Sequence, residues 1–137
     1  MSKILEKSGM QTINMNGYII LHDNMQKRSD MITKMADSIA KFFNELRGLT
    51  VDAVCVTESS TDNLLNVSVT LSVPVAGRYC STEDAPSGES VFFDSSLSAF
   101  YIRMMLNLLE SVLIENYGII RTQITASSDI NWNELAS

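Results

Sequence analysis

The stretch from Ser95 to Tyr117, SSLSAFYIRMMLNLLESVLIENY, restricts the possible folds more than any other part of the chain. Leu97, Phe100, Tyr101, Met104, Met105, Leu108, Leu109, Val112, Leu113 and Ile114 cover most of a helical circumference. Arg103, Asn107 and Glu110 form the one polar stripe, at helical spacing. A helix this apolar should be buried on more than one side. One flank is expected to close a sheet under Val67, Val69 and Leu71. The other, around Phe100, Met104 and Leu108, is expected to meet a second copy of the chain. Asp94 or Ser95 can cap its start, and Gly118 ends it.

A chain of 137 residues reads as a single domain, 1–137. It can bury roughly two thirds of the surface of its extended form. Only 19% of residues are charged, and the formal net charge is −6. That balance disfavours direct contact with a phosphate backbone, which needs clustered Lys and Arg. It suits solubility or a basic partner. Met1 to Lys7 is short and charged, with no apolar segment behind it, so no export signal is read there. Arg103, Asn107 and Glu110 interrupt the best apolar run, which argues against a membrane span. Cys55 and Cys80 fit reduced thiols better than a disulfide framework. The expected location is a cytoplasm, bacterial or that of an infected cell.

Further elements follow from periodicity. Met1 to Gly9 reads as a loose arm or short helical turn. Asn16-Gly17 between apolar residues is a hairpin signal, predicting strands near 11–15 and 18–22; the alternative is one edge strand with Gly17 at a bulge. Asp23 or Asn24 can cap an amphipathic helix over 25–47, with Met25, Ile32, Met35, Ile39, Phe42 and Leu46 on one stripe and Gly48 as its stop. Leu49 to Val56 is β-rich. Leu65, Val67, Val69, Leu71 and Val73 alternate with Asn66, Ser68, Thr70 and Ser72 in a clean period of two. Pro74 limits pairing, with Val75 to Cys80 as a possible edge strand. Ser81 to Ser90 reads as a mobile loop, and Val91-Phe-Phe93 as a return to the core. A last strand is predicted over 119–126. Ser128 to Ser137 then forms a tail with Ile130, Trp132 and Leu135 available for docking.

Catalytic chemistry finds little support. The single histidine, His22, has no nucleophile motif beside it, and Gly48, Gly77 and Gly88 stand singly without a phosphate-loop lysine. Cys55, Cys80 and His22 lack metal-ligand spacing and read as two core cysteines and a surface or capping histidine. The carboxylate pairs Asp52 with Glu58, Glu83 with Asp84 and Asp129 with Glu134 read as solvated groups rather than acid–base pairs. No enzyme, metal or cofactor is expected. The eight methionines include Met25, Met31, Met35, Met104 and Met105 on the two helices. They serve as core filling or as an adaptable apolar surface.

From Val51 onward the order of parts resembles the SecB-like chaperones. Val51 to Ser60, a turn and Leu65 to Val73 look like that family's central hairpin. Phe100-Tyr-Ile-Arg103 is similar to the start of its main helix. Gly118 to Leu135, with Ile124, Ile130, Asn131, Trp132 and Asn133, resembles its closing segment. The resemblance covers about residues 51–135. The helix over 25–47 is an insertion relative to that pattern, and the aromatic strand before the main helix is thin: Tyr79, then Phe92 and Phe93. The resemblance implies an oligomer, often a dimer of dimers, that binds non-native polypeptide on apolar grooves without nucleotide. It also implies an acidic strand face, here Asp52, Glu58 and Asp62, that docks a basic partner.

The expected fold is α+β, an antiparallel sheet of four to six strands with two long helices on one face. The expected function is a non-catalytic, oligomeric, polypeptide-binding protein, chaperone-like or adaptor-like. Phe100, Met104 and Leu108 are its oligomer contact. Phe42, Phe43, Met105, Asp52, Glu58 and Asp62 are its partner-binding candidates. The alternative is a small acidic inhibitor, of a phage type, that blocks a host nucleic-acid-binding machine by charge mimicry through Asp52, Glu58, Asp62, Glu83 and Asp84. Leu108→Asp is expected to destroy folding or assembly, because it buries an unpaired charge. Light scattering at micromolar concentration should give a homo-oligomeric mass, and a strictly monomeric one would contradict the reading of the helix.

Overall fold

The computed structural model describes residues 3–23, 29–81, 90–93 and 96–133. The chain is α+β, and its elements run β1 (Lys3–Ile20), α1 (Ser29–Asn44), β2 (Thr50–Glu58), β3 (Leu64–Ser81), β4 (Ser90–Phe93), α2 (Ala99–Tyr117) and β5 (Arg121–Trp132). The sheet is antiparallel, ordered β2-β3-β1-β5, with β4 also paired to β3. β2 pairs with β3 as far as Ser72, and β4 takes up the pairing at Gly77. Pro74 falls between them, where β3 has a paired strand on the β1 side only. That is where a ladder tolerates a residue without an N–H.

Alternation decides which way the sheet faces. Ile13, Met15 and Ile19 of β1, Leu65 to Val75 at every second position of β3, Val56 of β2 and Ile124 of β5 are buried. They share one cluster with Met35, Ile39 and Phe43 of α1 and with Ile102, Met105, Leu106, Leu109 and Leu113 of α2. Asn14, Asn16 and Tyr18 of β1, Asn66 and Ser68 of β3, and Gln123, Thr125 and Ser127 of β5 are exposed on the opposite face. The Tyr117 hydroxyl ties the two helices together: it donates to the Lys34 carbonyl at 3.0 Å and lies 2.6 Å from the Ser38 hydroxyl.

β1 departs from both readings of the Asn16-Gly17 signal. It is one strand without a turn or register shift, and it is central rather than at an edge. Its pairing begins at Lys3, where an arm or helical turn was expected. Gly17 is required by crowding. A Cβ there would run into the Gln123 carbonyl oxygen and lie 2.7 Å from Ile124 Cα. The long apolar alternation of β3 supplies a partner for all of β1, and that outweighs the local turn preference of Asn-Gly.

Other boundaries shift for local reasons. α1 ends at Asn44, short of the expected 47, and residues 24–28, where its start was expected, lie outside the described residues. Asp23 accepts a hydrogen bond from the Asn63 side chain. Gly48 follows the helix end at φ +80, a left-handed conformation open to glycine. β3 runs past Pro74 to Ser81, and as a central strand, not an edge. β5 runs to Trp132, so the first half of the expected tail is strand, with Ile130 and Trp132 packed on the core cluster. Glu83, Asp84, Asp94, Ser95, Glu134, Leu135 and most of the 81–90 loop lie outside the described residues.

Gly17→Ala is expected to cost at least about 1–3 kcal/mol, the range for overpacking, because the Gln123 and Ile124 atoms it would meet are strand backbone. Urea denaturation checks this; an unchanged midpoint would mean that β5 does not pack so closely on β1.

Candidate protein-interaction surface

α2 begins at Ala99 rather than Ser95. Gln11 explains the later start. It points inward in phase with Ile13 and Met15, and it is only 2% exposed. Its Nε2 donates to the Leu97 carbonyl at 2.9 Å and to Ser128 Oγ at 2.8 Å, while its Oε1 accepts from the Leu97 N–H at 2.8 Å. Both backbone groups of Leu97 are therefore engaged outside a helix. Ser98 then caps α2, its hydroxyl accepting from the Tyr101 N–H at 3.1 Å. Gly118 closes the other end at φ 67, and its N–H donates to the Ile114 carbonyl.

With its start fixed, α2 turns three different stripes to three surroundings. Ile102, Met105, Leu106, Leu109 and Leu113 face the core. Arg103, Asn107 and Glu110 flank β5, where the Glu110 carboxylate accepts from the Thr122 N–H at 2.8 Å and from its hydroxyl at 3.0 Å. The outward stripe is apolar. Phe100 is 75% exposed, Leu108 56%, Tyr101 47% and Met104 46%. These residues sit one helical turn apart or side by side, so they form one patch. Such a patch marks an interaction site more often than isolated apolar residues do.

Beside this stripe lies an open groove of about 740 Å³ between the first half of α2 and the second half of β5. Its lining is mixed: Leu97, Ile102, Leu106, Ala126, Ile130 and Trp132 are apolar, Gln11, Ser96, Ser127 and Ser128 are polar, and Arg103 and Asp129 add charge. The Lys7 ammonium lies 6.0 Å from the Trp132 ring centroid, at the outer range of a cation–π contact.

The candidate residues divide sharply. Phe100, Met104 and Leu108 are brought together on the exposed stripe. Met105 and Phe43 are not surface residues: they are 3% and 0% exposed and fill the core. Burial removes both from the partner-binding set. Phe42 is half-buried, its ring edge-on to Phe43 with centroids 5.1 Å apart. Asp52, Glu58 and Asp62 are all exposed but do not form one surface. Asp52 sits at a bulge and accepts from the Ser72 hydroxyl on the outer face. Glu58 pairs with the inward-facing position of Leu65 at the far end of β2, about 20 Å away along the strand. Asp62 lies in the turn between β2 and β3. Cys55 is a free, exposed thiol on the outer face rather than a core residue.

Among the described residues there is no group of three or more His, Cys, Asp or Glu side chains able to hold a metal ion. None of their helices is long and apolar enough to cross a membrane. No family model, curated protein or solved structure matches the chain. The likeness to SecB-like chaperones thus rests on the sequence motifs alone.

Sequence periodicity did not single out Gln11, although a polar residue in phase with buried Ile13 and Met15 is the signal for it. Gln11→Ala leaves the Leu97 N–H and carbonyl without their partner. It should cost about 1–3 kcal/mol and loosen the start of α2, read as lower thermal stability with faster amide exchange at Leu97. Gln11→Glu buries a carboxylate against the Leu97 carbonyl and should be at least as destabilising as Gln11→Ala at neutral pH.

Proposed function

We propose that this chain is a non-catalytic, homo-oligomeric protein that binds non-native polypeptide, in the manner of the SecB-like chaperones it resembles. The observation that carries the reading is the outward stripe of α2. A helix stripe of Phe100, Tyr101, Met104 and Leu108 with such exposure has no use in an isolated chain, and full burial of each large apolar side chain yields about 1.5–3 kcal/mol. In this reading both helices cover one face of the sheet. The α2 stripe meets its counterpart on a second copy. The adjacent groove, with Leu97, Ile102, Leu106, Ile130 and Trp132, takes apolar side chains of an unfolded partner. Phe42 stays a secondary candidate at its edge of the core. The protein works in a cytoplasm, without cofactor, and contacts neither nucleic acid nor membrane directly.

Charge mimicry has less support, because Asp52, Glu58 and Asp62 are dispersed over different sides of β2 and its turn. An acidic mimic needs its charges concentrated to rival a phosphate backbone.

Because Leu108 is exposed, Leu108→Asp should leave folding intact, within about 0.5 kcal/mol of the parent, and should disrupt assembly through α2. Leu109→Asp, one residue along and 1% exposed, should prevent folding. Circular dichroism and light scattering together check the pair. Equal behaviour of the two variants would mean that α2 is rotated from the orientation described.

The functional test is dilution of an unrelated denatured protein into buffer with and without this chain. Suppressed aggregation, insensitive to salt and lost in Trp132→Asp or Ile130→Asp, supports polypeptide binding. Absence of suppression overturns it. So does capture of a basic partner that disappears as salt is raised.

A further inference from the structure

Asn16-Gly17 is the one place in the chain where glycine follows asparagine. The sheet absorbs the pair as continuous strand, but its covalent chemistry remains. An asparagine carboxamide carbon lies one ring closure away from the next backbone nitrogen. Only glycine leaves that nitrogen without a neighbouring Cβ. Asn14, Asn66, Asn107 and Asn131 are followed by Met15, Val67, Leu108 and Trp132, whose side chains crowd the same approach.

We infer that Asn16 is a spontaneous deamidation site that the folded sheet holds shut, so that opening of β1 exposes the chain to a covalent change that prevents its return. In the reaction the Gly17 nitrogen attacks Asn16 Cγ. The new C–N bond replaces the C–NH2 bond, and the amide nitrogen leaves as ammonia with the Gly17 proton. The resulting cyclic imide takes up water at either of its carbonyls. One opening gives aspartate at position 16. The other gives isoaspartate, whose main chain runs through Cγ. No oxidant, metal or cofactor takes part.

Two features of β1 hold the reaction back. The Asn16 side chain is exposed on the outer face, whereas the Gly17 N–H lies in the plane of the sheet. The Leu21 N–H donates to the Asn63 carbonyl on the β3 side at 2.7 Å, and this direction recurs at every second residue. The Gly17 N–H is thereby turned to Val67, its register partner, and away from the Asn16 carboxamide. On the other side Asn16 pairs with Thr125, whose hydroxyl donates to the Asn16 carbonyl at 3.4 Å. Ring closure must break both arrangements. Exclusion of water plays no part, because Asn16 borders an open hollow with Tyr18, Cys55 and Ser68.

The two products differ in what the sheet can accept. Isoaspartate adds one carbon to the main chain. An edge strand can take up an excess as a bulge. β1 is paired along both edges, so the excess displaces the fully buried Ile19 and Leu21 from their places. Aspartate lengthens nothing and sets its charge on the exposed face, between Ser68 and Thr125. The site cannot be made safe from the glycine side, because a Cβ at position 17 strikes Gln123. The inference rests on neither polypeptide binding nor assembly.

The experiment incubates the full chain in mildly alkaline buffer, both folded and in urea sufficient to unfold it. Intact mass reads the exchange of NH2 for OH. Peptide mapping with isoaspartyl methyltransferase labelling locates it. Modification at Asn16 is expected to be at least roughly a hundredfold slower in the folded chain, because it tracks the open population. Asn16→Ser should abolish it in urea. After removal of urea, unmodified chains and Asn16→Asp should recover the native circular dichroism, whereas the isoaspartyl fraction should stay unfolded. Equal rates in the folded and unfolded chain overturn the inference. So does native refolding of the isoaspartyl fraction, or failure of Asn16→Asp to fold, which would assign the damage to charge rather than to the lengthened main chain.

Discussion

The structure depends on a first strand that is paired along both of its edges. β1 holds β3 on one side over its full length and β5 on the other from Gly9 onward. Every other element is placed by that arrangement. β2 and β4 reach the sheet only through β3, and α2 is tied to β1 through Gln11. Two glycines make the β5 side possible. At Gly9 a Cβ would lie 2.5 Å from the Asn131 carbonyl oxygen, and at Gly17 it would strike Gln123. Side chains at these positions would hold β5 off the sheet. The consequence for function is direct, because the groove beside α2 exists only where β5 lies close.

Much of this was legible where the physics is local and periodic. The alternation over Leu65 to Val73 marked β3 and its inward face, because one face of a strand must be buried as a set. The α2 pattern marked a helix apolar around most of its girth, and Gly118 marked its end. The lost signals were those in which distant residues compete with local preference. Asn16-Gly17 prefers a turn in isolation, yet here it continues a strand because β3 and β5 bracket it. Ser95 is an acceptable cap, yet the helix waits for Ser98 because Gln11, 86 positions away in sequence from Leu97, holds the intervening backbone. Nothing near either site announces such a contact.

The candidate site was legible in composition but not in orientation. Listing the apolar residues of α2 identified both the core and the exposed stripe without separating Met105 from Met104, its neighbour. That separation depends on which side of the helix meets the sheet, and it is fixed by the position of β5 and the polar bridge from Glu110 to Thr122. Phe42 and Phe43 divide in the same manner on α1. The acidic residues failed for a different reason. Asp52 and Glu58 are close in sequence, but a bulge and the pleat send them to opposite sides of the strand.

The geometry of the two free surfaces also bears on how far assembly can proceed. The α2 stripe looks away from the sheet, and the β5 edge looks along it. A surface that met its own counterpart on a second copy would make an isologous contact, which closes after one partner. The bulge at β2 serves the same limit. An open β2 edge would let sheets keep joining, copy after copy, along the hydrogen-bonding direction. At β5 the outward Thr122 amide is already taken by Glu110 of α2.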